Sequence, residues 1–344
     1  MADFYQYTAL PDTNSIRLIY LEPGAADSPL RCQLKTVSLD HLPAYEAISY
    51  AWGEPVFTCE LCTDDDRMGI TPSLYGALHR VRLESATRVL WADAVCINQE
   101  NTDERSRQVA LMRMIYSNAT RVLIWLGPSS DEVPTAWKLV SKILAQRQRE
   151  TELFRDVKTE AISAQRNEEM GLPAFESTEW VQLSSFYGRP YFQRAWVVQE
   201  VRLAREGLAL CGEFQMAWDD LQNATRWLAH KMYFLKIDMT YMGGIGKTRS
   251  CNHGFFERQR AQNLLGLLRV TRNQATTDPR DKVYAILGIA TEAIACRDSR
   301  SVSYAIREDS VYLHLPAGCC QITQSRWPRC ISTQFAILSN RVMI

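Results

Sequence analysis

The ten residues Leu90–Gln99, LWADAVCINQ, decide how the chain folds. An apolar run meets one carboxylate, Asp93, and ends in two adjacent amides, Asn98 and Gln99. Its length and composition predict a buried strand over Val89–Ile97. A helix follows, predicted over Asp103–Ala119, with Asn101 or Thr102 as cap and Glu104 in the first turn favouring the helix dipole. Val109, Met112, Ile115, Tyr116 and Ala119 give that helix one apolar face. A buried strand that delivers polar side chains at its end is how an open α/β sheet builds a site.

The flanking segments extend the pattern. Thr71-Pro72 opens a helix carrying Leu74, Ala77, Leu78 and Val81, and Arg121–Leu126 is a short strand stopped by Gly127-Pro128. Residues 71–128 therefore read helix, strand, helix, strand, which favours parallel strands with crossover helices. Upstream, Ser15–Leu21, Leu30–Leu39 and Tyr45–Trp52 read as strands, and Phe57–Leu61 pairs with Met68–Ile70 around an acidic tip. Downstream, residues 132–170 read as a polar insertion or long surface helix. Glu179–Phe186 reads as a helix, Ala195–Leu203 as the start of another, and Gly207–Cys211 as a strand. Beyond about residue 217 helices dominate: Trp218–Leu235, Glu257–Arg272 and Lys282–Leu287.

Composition narrows the function. The 344 residues carry 39 basic and 39 acidic side chains, so nothing global favours nucleic acid or an anionic membrane. No run approaches the ~18 apolar residues of a membrane span, and the N-terminus lacks a signal-peptide pattern. The ten cysteines are then expected as reduced thiols in the cytosol.

Several motif-like stretches lack a full motif. Tyr241–Thr248, YMGGIGKT, ends like a phosphate loop, but Tyr241 stands where the first glycine belongs and no clear helix follows. Cys59-x-x-Cys62 is half a zinc site with no second half at suitable spacing. There is no serine-hydrolase elbow and no dinucleotide glycine fingerprint. What remains is a set of polar residues at element ends: Ser49, Tyr50, Trp52, Asp93, Asn98, Gln99, Arg194, Gln199 and Glu200. Any one alone is more often structural, and Trp52 and Trp196 read as core aromatics.

Four segments together resemble the fungal heterokaryon-incompatibility (HET) domain: YEAISYAWG at 45–53, LWADAVCINQ at 90–99, residues 104–127 and RPYFQRAWVVQEVRLA at 189–204. ATTDPRDKVYAILGI at 275–289 resembles the segment that often follows it. Ala92 and Tyr191 depart from the commoner branched residue and Trp. The resemblance implies a role in fungal nonself recognition ending in growth arrest or cell death. It also implies a distant likeness to TIR domains, giving a TIR/flavodoxin-like α/β fold: a mainly parallel sheet, flanking helices, an N-terminal β-hairpin region and a helical C-terminal extension. The boundaries drawn are 1–40 for the N-terminal strands and 41–212 for the domain with its insertion near 132–175. Residues 213–316 then form the extension and 317–344 a weakly ordered tail.

Some TIR domains cleave NAD with a glutamate in a W-C-x-x-E pattern, and Trp196–Glu200 has the same Trp-to-Glu spacing without the cysteine. The resemblance therefore implies Glu200 as catalytic carboxylate. Ser49, Tyr50, Trp52, Asp93, Asn98, Gln99, Arg194 and Trp196 would line the pocket. NAD would be substrate, with no resident cofactor or metal. The expected partners are other copies of the chain and an incompatibility protein. A non-enzymatic death-signalling module acting by self-association is the alternative, with the same residues structural.

Overall fold

The computed structural model describes residues 5–63, 66–154, 157–237, 264–271, 274–290, 303–307, 310–315 and 318–323. Nine strands make the main sheet: β1 (Ser15–Leu21), β2 (Arg31–Ser38), β3 (Glu46–Tyr50), β4 (Cys59–Thr63), β5 (Asp66–Ile70), β6 (Arg88–Trp91), β7 (Arg121–Trp125), β8 (Gly207–Cys211) and β9 (Phe214–Ala217). Their spatial order is β5-β4-β2-β1-β6-β3-β7-β8-β9. The central four, β6-β3-β7-β8, are mutually parallel. Strand β1 joins β6 antiparallel, and the hairpins β4/β5 and β8/β9 form the two edges. The expected α/β class with a parallel core and N-terminal strand pairs is what forms, as a mixed sheet.

Chain order explains where a site can lie. From β3 the chain runs through the β4/β5 hairpin and then α1 (Pro72–Val81) to β6 on one side. From β6 it returns past β3 through α2 (Asp93–Cys96) and α3 (Thr102–Asn118) to β7 on the other side. The winding direction therefore reverses between β3 and β7, and the crevice beyond their C-terminal ends is the place where such sheets bind ligands.

Local chemistry fixes the helices. Thr71 Oγ1 accepts from the Leu74 amide and Pro72 starts α1, while Asn101 Oδ1 caps α3 through the Glu104 amide. Gly76 brings α1 against Trp125, where an added Cβ would lie 3.2 Å from the indole, so α1 covers the face bearing Trp125. Neighbouring strand residues alternate faces, so Ser49 and its partner Ile124 point to the other side. There Tyr116 of α3 donates to the Ile48 carbonyl at 3.2 Å, and α7 (Val197–Leu203) packs beside it.

Two expectations need correction. The strand expected over Val89–Ile97 ends at Trp91, and Asp93–Cys96 is a single helical turn. An apolar run of four to eight residues suits a strand or a buried turn equally, and the break at Ala92-Asp93 decides between them. The polar stretch from 132 is helical, but α4 (Glu132–Phe154) is more than a surface helix: Val133, Ala136, Leu139, Val140 and Ile143 are buried. Helices α5 (Ala164–Glu169) and α6 (Thr178–Tyr187) continue it. The 3-10 turn Pro190–Gln193 then leads to α7.

Further on lie α8 (Trp218–His230), the 3-10 turn Tyr233–Leu235, α9 (Leu264–Thr271) and α10 (Asp281–Leu287). Strands β10 (Ser303–Arg307), β11 (Ser310–Leu315) and β12 (Gly318–Thr323) form a separate antiparallel sheet within and just past the stretch read as a helical extension. The phosphate-loop-like stretch 241–248, the acidic residues Asp64 and Asp65, and the tail from 324 lie outside the described residues.

The insertion is tied to the domain by a buried cation. Lys231, fully buried just after α8, places its Nζ 2.5 Å from Glu150 of α4 and 2.7 Å from Glu160. The other Glu150 oxygen accepts from the Trp227 indole at 2.8 Å. Lys231→Met should cost about 3 kcal/mol, since it strands Glu150 without its cation. A denaturation midpoint close to wild type would contradict this brace.

Candidate functional site

Glu200 lies on α7 and is 2% exposed. Its carboxyl group takes a short hydrogen bond from Ser49 Oγ on β3, and Tyr191 OH lies 2.7 Å from the same Oγ. With Glu200 ionised, Ser49 donates to it and the Tyr191 hydroxyl donates to Ser49 in turn. Burial pushes the Glu200 carboxyl up to about 7, against the opposing pull of Arg194 and the Ser49 hydrogen bond, with Asp93 adding to the rise. A carboxyl group half-protonated near neutrality can act as acid, base or charge stabiliser.

The neighbouring wall comes from the segments after β3 and β6. Trp52, half-buried, donates its indole N–H to both Asp93 oxygens at 3.1 and 2.9 Å. Asp93 also starts α2 by accepting from the Ala94 amide at 2.8 Å. Burial raises the Asp93 carboxyl as well, opposed by Arg194 and the Trp52 indole. The buried Tyr50 hydroxyl faces Asp93 without a hydrogen bond of normal length. Arg194, just past the 3-10 turn, donates to the Tyr50 carbonyl and sits within electrostatic reach of Glu200 and Asp93. Ser49, Tyr50, Trp52, Asp93, Arg194 and Glu200 thus converge at the C-terminal ends of β3 and β6, beside the switch point.

The remaining expected site residues lie elsewhere. Asn98 and Gln99 hold the turn: Gln99 Nε2 donates to the Asp93 carbonyl at 2.9 Å, and Asn98 Oδ1 accepts from the Glu100 amide at 3.1 Å. Trp196 is a hydrogen-bond partner of Asp281 on α10. Neither Trp52 nor Trp196 is the core aromatic expected from sequence, since both are half-buried. Each keeps its polar N–H on a carboxylate, which a fully apolar core position would not supply. Gln199 is buried against Gly288, where an added Cβ would fall 2.6 Å from its Oε1.

Sequence reading missed Tyr191. A buried tyrosine in an apolar turn reads as core packing, and only its hydroxyl contact marks it out. Among the described residues no group of three or more His, Cys, Asp or Glu is placed to hold a metal. A cavity of about 440 Å³ lies around the first residues of β3, β6 and β7, away from this cluster, where Arg88 and Arg121 both pair with Glu46.

The segment that builds this cluster is recognisable as a unit. Residues 45–200 match the family model described as heterokaryon incompatibility protein (HET). Over that segment the chain is similar to the HET domain. The match runs from the start of β3 to Glu200 itself. A similar protein is heterokaryon incompatibility protein 6, OR allele, of Neurospora crassa, 26% identical over 345 residues. That alignment covers 84% of this chain and 49% of the relative, so the chain spans about half of the relative's length. No solved structure matches the chain.

The buried Glu200 carboxyl makes stability depend on pH. The folded value near 7 lies above the ordinary 4.5, so the folded state holds the proton more tightly. That contribution is complete below pH ~4.5 and is lost as pH rises towards ~7, on the order of 3 kcal/mol. Glu200→Gln should therefore gain stability relative to wild type between pH 5 and pH 8. Parallel melting curves across that range, with a constant offset between the two proteins, would contradict the raised value.

Proposed function

We propose that this protein acts in fungal heterokaryon incompatibility, and that its HET domain promotes cell death by cleaving NAD at the nicotinamide–ribose bond. The family match and the name of the Neurospora crassa relative support the first part. The second rests on one observation: Glu200 meets Ser49 and Tyr191 beside the switch point of the sheet.

The chemistry suits the cluster. In hydrolysis the bond from ribose C1′ to the pyridinium nitrogen breaks, and nicotinamide leaves with the electron pair. Water adds to C1′ and releases a proton. The ribose passes through an oxocarbenium-like state, which an adjacent carboxylate stabilises. Ser49 and Tyr191 hold the Glu200 carboxyl in place, and the Tyr50 hydroxyl faces Asp93 at the wall of the same pocket. Arg194 adds positive charge for an anionic part of the ligand.

One observation favours a second reading, a signalling module that works by self-association. Glu200 is almost fully buried and already hydrogen-bonded, as a structural carboxyl would be. No helix among the described residues is long and apolar enough to cross a membrane, and the described cysteines 32, 59, 62, 96 and 211 are in no disulfide. Both fit action in the cytosol, on NAD there or on an incompatibility partner.

Purified protein at high concentration should release nicotinamide from NAD. Glu200→Ala should slow that release by ~100-fold or more, the usual scale for loss of one charge-stabilising group. Intact NAD with the wild type would remove the hydrolase reading. Cell death by Glu200→Ala equal to wild type would select the signalling module.

A further inference from the structure

The family match begins at residue 45, yet the turn carrying Asp93 is held by residues well before it. Arg17 occupies an interior position of β1 and is 1% exposed. Its guanidinium forms a two-pronged pair with Glu104, Nη1 to Oε1 at 2.6 Å and Nη2 to Oε2 at 3.1 Å. Nη1 also donates to the Cys96 carbonyl at 3.0 Å, and Nη2 to the Thr8 carbonyl at 2.8 Å. The Tyr7 ring lies 4.9 Å from the guanidinium, and its hydroxyl donates to the Val95 carbonyl at 2.9 Å. Glu104 Oε1 completes the set by accepting from the Asn98 amide at 2.9 Å.

One cluster thus holds the carbonyls of Val95 and Cys96 and the amide of Asn98. These belong to the turn that begins at Asp93 and aims its carboxylate at Trp52. A single helical turn is poorly stable by itself, because one turn of fixed backbone yields too few hydrogen bonds and its last carbonyls have no partner inside it. Tyr7 and Arg17 supply those partners. A buried ion pair contributes little net stability compared with well-packed apolar residues, because both ions lose their hydration. What the rigid guanidinium fork does supply is direction.

We propose that Arg17, assisted by Tyr7, is a positioning residue for the Asp93 turn. Strand β1, outside the matched family segment, is therefore part of the site. The inference rests on reading Asp93 as a pocket residue, but its test reads the turn rather than the reaction.

The readout is the indole N–H resonance of Trp52 in protein labelled with ¹⁵N-tryptophan, assigned through Trp52→Phe. Arg17→Lys keeps a cation opposite Glu104 but loses the fork, and Tyr7→Phe removes one hydroxyl. In both, the Trp52 resonance should shift while the indole of Trp227 on α8, bonded to Glu150 of α4, stays in place. Folded Arg17→Lys and Tyr7→Phe proteins with Trp52 at its wild-type position would overturn the proposal. If Arg17→Lys fails to fold, Tyr7→Phe decides by the same criterion. A shifted Trp52 in a protein that leaves NAD intact keeps the positioning role and removes only the hydrolase reading.

Discussion

A carboxyl group taken out of water has two ways to persist: accept enough hydrogen bonds to stay charged, or hold a proton. Glu200 is poised between them. Ser49 gives it a hydrogen bond and Arg194 a nearby positive charge, yet desolvation outweighs both and lifts its proton affinity to neutrality. That compromise ties the fold together at one place. Ser49 must sit near the end of β3, α7 must follow the Pro190–Gln193 turn at the right angle, and Tyr191 must bring its hydroxyl back onto Ser49. The parallel core supplies the setting, since β3 and β7 separate their crossovers to opposite sides and leave the ends of the strands open.

Around that point the chain repeats one device, a buried or half-buried charge met by a partner from a distant segment. Arg17 meets Glu104 behind the Asp93 turn, Lys231 meets Glu150 and Glu160 where the insertion docks, and Arg189 reaches Glu132 at the start of α4. Arg189 also donates to the carbonyls of Leu126 and Pro128, so the loop leaving β7 is held beside the turn that leads to α7. Gly127 makes this approach possible: its φ of +104° suits glycine, and an added Cβ would lie 3.2 Å from the Arg189 guanidinium. Each pairing is costly to break from one side only, so together they restrict how the segments can sit.

Local rules made much of this readable beforehand. The bounds of β1 and β8, the caps at Thr71 and Asn101 and the buried face of α1 follow from branched residues, turn residues and helical spacing. The convergence of Ser49, Asp93, Arg194 and Glu200 followed from placing polar residues at element ends and from the resemblance. Other features depend on long-range partners that no local pattern encodes. The turn at Asp93–Cys96 is apolar in a way that suits a strand equally well. Glu104 reads as a residue for the helix dipole until Arg17 is beside it. The one signal available was an arginine inside the apolar run SIRLIYL, since a buried guanidinium needs a carboxylate from elsewhere. Tyr191 gave no signal beyond its aromatic character.

The most direct measurement is the titration of the Glu200 side chain itself, followed through its ¹³C carboxyl resonance in labelled protein and assigned with Glu200→Gln. A midpoint near 7 is expected, moving when Ser49→Ala removes the hydroxyl. A midpoint at the ordinary value of 4.5, unchanged by Ser49→Ala, would show that the carboxyl is hydrated and that the cluster around it does not exist in solution.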